Sequence, residues 1–481
     1  MNESLRSASG APPRVVIVGG GFTGLAAAYE LARRNFSPTI IESEHELGGL
    51  AGTFAVGDSR VERFYHHWFT SDHHVMNLVA ELGLGDRLIQ SPVATGTFHA
   101  NSLFRLSSPL DLLKFTPLSL MDRLRLGMLV PAARSIRAWQ DLDDRSAAEW
   151  LRETCGETAY RVVWEPLLRG KFGEHAELVS AAWFWSKLRL RGGSRRRDGR
   201  EQLVYFKGGF AVLADAMART VGAAGGRVLT GTKVNSIEVA QEKISGVRAE
   251  GIFYPADAVI LTTPLPEAAR LLSGVASETF VRSLERIRFL ANRCLVFELD
   301  RSLSELYWIN VNDPSFPFVG AIEHTNFADP ADYGGRHIVY LSRYCPPGDP
   351  FLQLDLSEAT AFTLPHLARM FPQFDPAMIL RAHSWQAEYA QPIVEVGYSK
   401  LVPGHEIPIK GIYLATMAQV YPEDRGTNYA IRDGRKVAGL LAEVARPRVT
   451  RPYPDRLSSG GTPCAPFTSL TMKLGRRFTS L

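Results

Sequence analysis

The chain has 481 residues, 45% hydrophobic and 22% charged, with a formal net charge of +4. So slight a basic excess gives no reason to expect nucleic acid as a partner, while the length suffices for a sizeable core divided between two lobes. No run of eighteen uninterrupted apolar residues suggests a membrane span, and four dispersed cysteines (Cys155, Cys294, Cys345, Cys464) suit a reducing, cytoplasmic compartment rather than a metal or disulfide framework.

Residues 1–13 are polar, contain glycine and proline, and read as a flexible leader. Val15 to Val18 then form a continuous apolar run, the pattern of a parallel strand buried on both faces. Gly19, Gly21 and Gly24 follow as G-x-G-x-x-G, ahead of a helical pattern. The first glycine permits a tight turn, the second lets backbone approach a pyrophosphate, and the third lets helix pack on strand. Thr39 to Ile41 make the next strand, and Glu42 ends it where a carboxylate can accept both ribose hydroxyls. An acid there disfavours a 2′-phosphate, leaving FAD or NAD(H). A second glycine turn follows at Gly48, Gly49 and Gly52.

Between Arg63 and Phe69 lie His66 and His67, with His73 and His74 close behind. The intervals match no metal-ligand spacing, so no metal is expected. Residues 86–201 show helical periodicity, chiefly over 119–139 and 146–172, with Ser146 and Glu149 as a candidate capping box. Six arginines (Arg189, Arg191, Arg195, Arg196, Arg197, Arg200) flank Gly192-Gly193 and read as a mobile loop. They are either a solvated charge run or a clamp for phosphate or carboxylate. Residues 286–405 hold four strand-like runs, which predict an antiparallel sheet with a helix over 358–371 packed upon it. In the tail, Phe467, Leu470, Leu474, Phe478 and Leu481 form an apolar stripe beside Lys473, Arg476 and Arg477, the pattern of a surface-lying membrane helix.

The two glycine turns around Glu42 resemble the flavoprotein superfamily of amine oxidases, protoporphyrinogen oxidases and phytoene desaturases. Three further segments carry the resemblance: Lys207 to Phe210 with the helix and strand that follow, Ala256 to Pro264, and Gly411 to Thr416 leading into Gly426 to Ala430. It implies an α/β fold, with a Rossmann-like FAD-binding lobe (14–85, 202–285, 406–445) interleaved with a substrate lobe of antiparallel sheet plus helices (86–201, 286–405). A basic tail (446–481) follows. It also implies FAD as cofactor, with Gly19, Gly21, Gly24, Glu42, Gly49, Val234, Thr263, Thr427 and Asn428 around it. Relatives end the last strand in Gly-Asp. Here Ala415-Thr416-Met417 stands in its place, and Glu423 or Asp424 is the candidate replacement.

The expected activity is FAD-dependent transfer of a hydride from an amine, alcohol or C–C bond of a small substrate, anionic or lipid-like. His66 and His67 are candidate contacts or proton acceptors, and Trp385, Tyr389 and Tyr421 candidate cavity walls. The His-containing stretch also resembles UDP-galactopyranose mutases, so a sugar-nucleotide mutase without net redox change is the alternative. An NAD-dependent dehydrogenase and a non-enzymatic binding protein fit the glycine turns less well.

Overall fold

The computed structural model describes residues 11–193 and 201–445. At its centre is a five-stranded parallel sheet in the order Arg227–Leu229, Ser37–Ile41, Arg14–Val18, Ala258–Leu261, Ile412–Leu414. Successive residues of a strand point to opposite faces, and here each face has its own core. Val15, Ile17, Ala258 and Ile260 enter one core with the helices Phe22–Arg33, Phe210–Ala223 and Thr427–Val444. Val16, Val18, Val259 and Leu261 enter the other, with the helix Leu265–Leu272 and most of the helical part of the chain.

A seven-stranded sheet runs Ile379–Pro392, Phe289–Leu299, His337–Cys345, Gly320–Glu323, Trp308–Val311, Thr95–His99, Ser102–Arg105. Every residue of Phe289–Leu299 is buried. Its other face makes a third core beneath the helix Leu356–Met370, whose N-terminus carries a capping box between Asp355 and Glu358. Two features depart from the sequence expectations, one for 86–201 and one for the antiparallel sheet of 286–405. Residues 95–105 form a hairpin instead of continuing the helical pattern, with Ala100 and Asn101 at φ of 49° and 55° in its turn. Thr95–His99 pairs parallel to Trp308–Val311, so the sheet is not wholly antiparallel.

The helices Leu120–Ser135, Ala147–Cys155, Glu165–Phe172 and Ala181–Gly193 share the second core, and Glu165–Phe172 also packs on the strands His337–Cys345 and Trp308–Val311. Ser146 Oγ accepts the Glu149 N–H at 3.1 Å and caps Ala147–Cys155, which is one half of the expected capping box; the helix is capped through the serine side chain alone. Arg189 and Arg191 lie on the Ala181–Gly193 helix, not on a loop. Trp183 and Trp185 anchor that helix in the core, and the Trp185 indole donates to the Ala133 carbonyl at 2.7 Å. Arg195, Arg196, Arg197, Arg200, Cys464 and the amphipathic tail lie outside the described residues. Among the described residues, no helix is long and apolar enough to cross a membrane.

Candidate active site

A cavity of about 710 Å3 opens along the carboxyl ends of the parallel strands. This is where open α/β sheets bind ligands, because the crevice lies between loops that leave in different directions. Gly19 takes a φ of +111°, a conformation that L side chains rarely adopt, and a Cβ there would also strike Thr262 Oγ1. A Cβ on Gly24 would stand 2.0 Å from the Gly19 carbonyl, so this glycine serves helix-to-turn packing and not ligand contact. The second glycine turn docks on the first through the Gly48 N–H to the Gly20 carbonyl, 2.9 Å. Gly49 lines the cavity beside Gly21.

Glu42 is held in place from both sides. Its Oε2 accepts the Gly20 N–H at 2.6 Å, and its Oε1 accepts the Glu44 N–H at 2.8 Å and the Ser43 hydroxyl at 3.1 Å. A carboxylate offers about four lone-pair positions and three are taken, so the one left, on Oε2, can accept a single ribose hydroxyl rather than the two expected from the sequence. Val234, Thr263, Met417 and Thr427 complete the wall. Three observations fit FAD. A Cβ on Gly21 would meet nothing nearer than 3.8 Å, so that side of the turn is open to the cavity. Thr263 Oγ1 is buried without a protein partner. The N-termini of Phe22–Arg33 and Thr427–Val444 both meet the cavity, where their first N–H groups would be free to meet the phosphate and carbonyl oxygens such a cofactor carries.

A second cavity, about 320 Å3, adjoins the first, and His66, Arg425, Gly426 and Thr427 line both. Trp164, Phe172, Trp183, Phe184 and Trp308 make much of its wall. Lys171, Lys187, Arg191, Asp72 and Asp424 add charge. Asp424 accepts from Lys171 Nζ at 2.8 Å, Lys187 Nζ at 2.7 Å and the Trp183 indole at 3.2 Å. Despite burial, these cations hold its carboxyl well below the usual range. Burial pushes the Asp72 carboxyl up to about 6 and, with the neighbouring cations, the Lys187 ammonium down to about 8.

His66 Nδ1 lies 2.6 Å from the Phe64 carbonyl, and His67 Nδ1 lies 3.0 Å from the Tyr307 hydroxyl. Burial lowers the two imidazoles to about 4 and about 3, so both are neutral at physiological pH rather than poised near it. Tyr389 lines the first cavity. Trp385 and Tyr421, expected as cavity walls, line neither cavity. Trp385 packs against Phe54 and under the Arg63 guanidinium, because its register on Ile379–Pro392 opposite Cys294 turns it away. The Tyr421 hydroxyl bonds Asp143 and, at 2.7 Å, Ser180 Oγ, while its ring packs on Trp139 and Tyr398.

Asn428, expected at the cofactor, faces the second cavity, and its Oδ1 accepts the His74 and Val75 N–H groups at 3.0 and 3.2 Å. Neither replacement acid reaches the first cavity either: Glu423 pairs with Arg432, and Asp424 turns to the two lysines. Lys171, Lys187, Trp164 and Trp183 also line the second cavity, although no motif in the sequence singles them out. The visible signal was the run Trp183-Phe184-Trp185 with Lys187 and Arg191 spaced i, i+4 behind it. Among the described residues, no group of three or more His, Cys, Asp or Glu could hold a metal ion.

The chain is similar to proteins already known. Coproporphyrinogen III oxidase of Mycobacterium tuberculosis is 26% identical over 290 residues, 56% of this chain and 62% of its own length. The chain thus spans about six-tenths of the curated relatives it matches. Cyclohexylamine oxidase of Brevibacterium oxydans superposes with a TM-score of 0.67 at 18% identity, covering 90% of this chain and 99% of its own. A reduced UDP-galactopyranose mutase does so with 0.69 at 14% identity, covering 90% and 96%. At such identities the two structures show the fold alone. The family described as flavin containing amine oxidoreductase matches residues 22–442, and FAD is the cofactor whose parts the first cavity fits. A match of that extent decides the family: the chain belongs to the flavin-containing amine oxidoreductases.

Proposed function

We propose that the protein takes a hydride from a C–H bond of a small organic substrate, seated in the second cavity, and passes it to FAD in the first. The observation that carries this reading is the junction, where His66, Arg425, Gly426 and Thr427 wall both cavities. FAD, when bound, supplies the two-electron acceptor, with N5 as the hydride-accepting atom. Gly21, Glu42, Val234, Thr263 and Thr427 are the residues that would hold it, in segments 14–85, 202–285 and 406–445.

The rest is positioning and electrostatics. The N-terminus of Thr427–Val444 at the junction favours negative charge beside it. With Nδ1 bonded to the Phe64 carbonyl, His66 keeps Nε2 as its acceptor, and a neutral, weakly basic imidazole there orients a substrate donor more readily than it removes a proton. The aromatic wall keeps water from the reacting carbon.

Anaerobic stopped-flow mixing tests the reading: a true substrate bleaches the flavin, and an electron acceptor restores its colour. Turnover that occurs only after the flavin has been reduced beforehand, with no electrons consumed, overturns it and favours the mutase-like alternative.

Contact with an anionic membrane surface belongs to the same reading. Leu120, Met121, Leu124 and Met128 stand exposed on the Leu120–Ser135 helix, with Leu110 and Leu113 beside them. Lys114, Arg125, Arg134 and Arg137, on the same stretch of chain, are exposed too and would complement anionic headgroups. Co-sedimentation with phosphatidylglycerol vesicles should be lost when the four stripe residues become Ser, and unchanged co-sedimentation removes this part of the reading. A chain ending at Pro447 tests the tail separately.

A further inference from the structure

The charge balance of the second cavity is the most informative feature that the hydride-transfer reading leaves unexplained. Four cationic side chains line it: Lys171 from the Glu165–Phe172 helix, Lys187 and Arg191 from one face of Ala181–Gly193, and Arg425 from the loop before Thr427. Against them stand two carboxylates. Asp424 is already shared between Lys171 and Lys187, and Asp72 receives the Phe69 N–H at 2.8 Å at another part of the wall. The side chains of Lys171, Asp424 and Lys187 keep 16%, 18% and 33% of their exposure, and Arg191 is half-buried, so the cluster is partly withdrawn from water and is not a solvated charge run.

The histidines add no charge, because burial keeps His66 and His67 neutral. Excess positive charge withdrawn from water is costly unless an anion meets it. An amine substrate in its ammonium form would enter against that charge. The remaining wall, from Trp164, Phe172, Trp183, Phe184, Leu188 and Trp308, offers nothing comparable to a polar body but suits an apolar one.

From this we infer that the substrate is an amphiphilic anion. Its oxyanion group, phosphate or carboxylate, sits on Lys187 and Arg191 beside the Lys171–Asp424 pair, and its apolar body lies along the aromatic wall towards His66. The inference rests on the reading that this cavity holds the substrate. It separates the chain from the oxidation of cationic amines that the family's description suggests, although the family frame is the same. Arginine pairs with either oxyanion through two parallel hydrogen bonds, and lysine adds a compact charge. The lowered Lys187 ammonium accords with a site short of negative charge, which a bound anion would supply.

The test uses FAD-loaded protein and needs no turnover, so it can fail while the hydride-transfer reading stands, and the reverse also holds. Octyl phosphate, octanoate, octanol and octylammonium are titrated while quenching of tryptophan fluorescence is followed, since Trp164, Trp183 and Trp308 line the cavity. At least one of the two anions should bind tenfold or more tightly than octanol, and octylammonium more weakly than octanol. Which anion binds better identifies the oxyanion. Lys187→Met and Arg191→Gln should each weaken the anion tenfold or more while FAD content and octanol affinity hold, and Lys187→Arg should retain anion binding. Tighter binding of octylammonium than of either anion overturns the inference, as does anion affinity that neither substitution changes.

Discussion

Single atoms decide the cofactor turn. Gly21 has an extended backbone, with φ of −70°, and open space where its Cβ would be. Gly21→Val should therefore leave a folded protein that holds no FAD, because the added methyls occupy the pyrophosphate's place while straining nothing around them. Loss of flavin absorbance with an unchanged circular dichroism spectrum checks this, and retained colour would contradict it. A second residue-scale effect belongs to His324, which is buried, bonds the Tyr333 hydroxyl at 2.8 Å, and has its pKa lowered by burial to about 3. Its neutral form is favoured by folding, so its contribution is full above pH 6.5 and erodes as pH falls towards 3. Glu62, pushed up by burial to about 7, works in the opposite sense: its contribution is full below pH 4.5 and is lost as pH rises through 7. A whole-protein pH curve mixes such terms, so a difference measurement is required. The destabilisation caused by His324→Gln should shrink by up to about 1.4 kcal/mol for each pH unit below 6.5, read by denaturant unfolding at pH 7.5 and 5.5.

Among elements, the tightest constraint is the crossing of Phe22–Arg33 by Thr427–Val444. Both helices aim their N-termini at the cofactor cavity, so their mutual placement sets the distance between the phosphate end and the junction end. A Cβ on Gly434 would lie 2.3 Å from the Thr23 carbonyl and 2.9 Å from Ala26 Cβ. Gly434→Ala gains helix propensity by about 1 kcal/mol, yet overpacking costs typically 1–3 kcal/mol and acts against backbone that cannot move aside. The net result should be a lower thermal midpoint and weaker FAD retention, measured by unfolding and by flavin release on dilution. A raised midpoint would show that the crossing relaxes.

Across the whole molecule, the helical part and the last cofactor segment meet at Tyr421, whose hydroxyl bonds Asp143 and Ser180. Because Tyr421 lines neither cavity, Tyr421→Phe should reduce stability by about 1–3 kcal/mol, the cost of leaving buried partners unsatisfied, and leave the rate constant of flavin reduction unchanged. A large fall in that rate constant with unchanged stability would return Tyr421 to the reaction. The same contact shows how an element far from the chemistry supports it: Tyr421 precedes Asp424, Arg425 and Gly426, which wall the second cavity.

The cofactor half was legible in the sequence because its determinants are local. Gly19, Gly21, Gly24 and Glu42 fall within one strand–turn–helix–strand unit, and the space between them is set by backbone geometry over about thirty residues. The substrate half was not, because its determinants are distant. Lys171 and Asp424 stand 253 positions apart and meet at 2.8 Å only when two segments fold onto one cavity. Trp385 and Tyr389, four apart on one strand, would share a face by simple alternation, yet Tyr389 reaches the first cavity and Trp385 does not, since the pairing with Phe289–Leu299 is irregular between Ala387 and Gln391 and breaks the alternation there. Likewise no pattern near His66 announces that burial will hold it neutral. Local geometry thus wrote the nucleotide site into the chain, whereas tertiary packing, by bringing distant segments together, decided which charges share the second cavity.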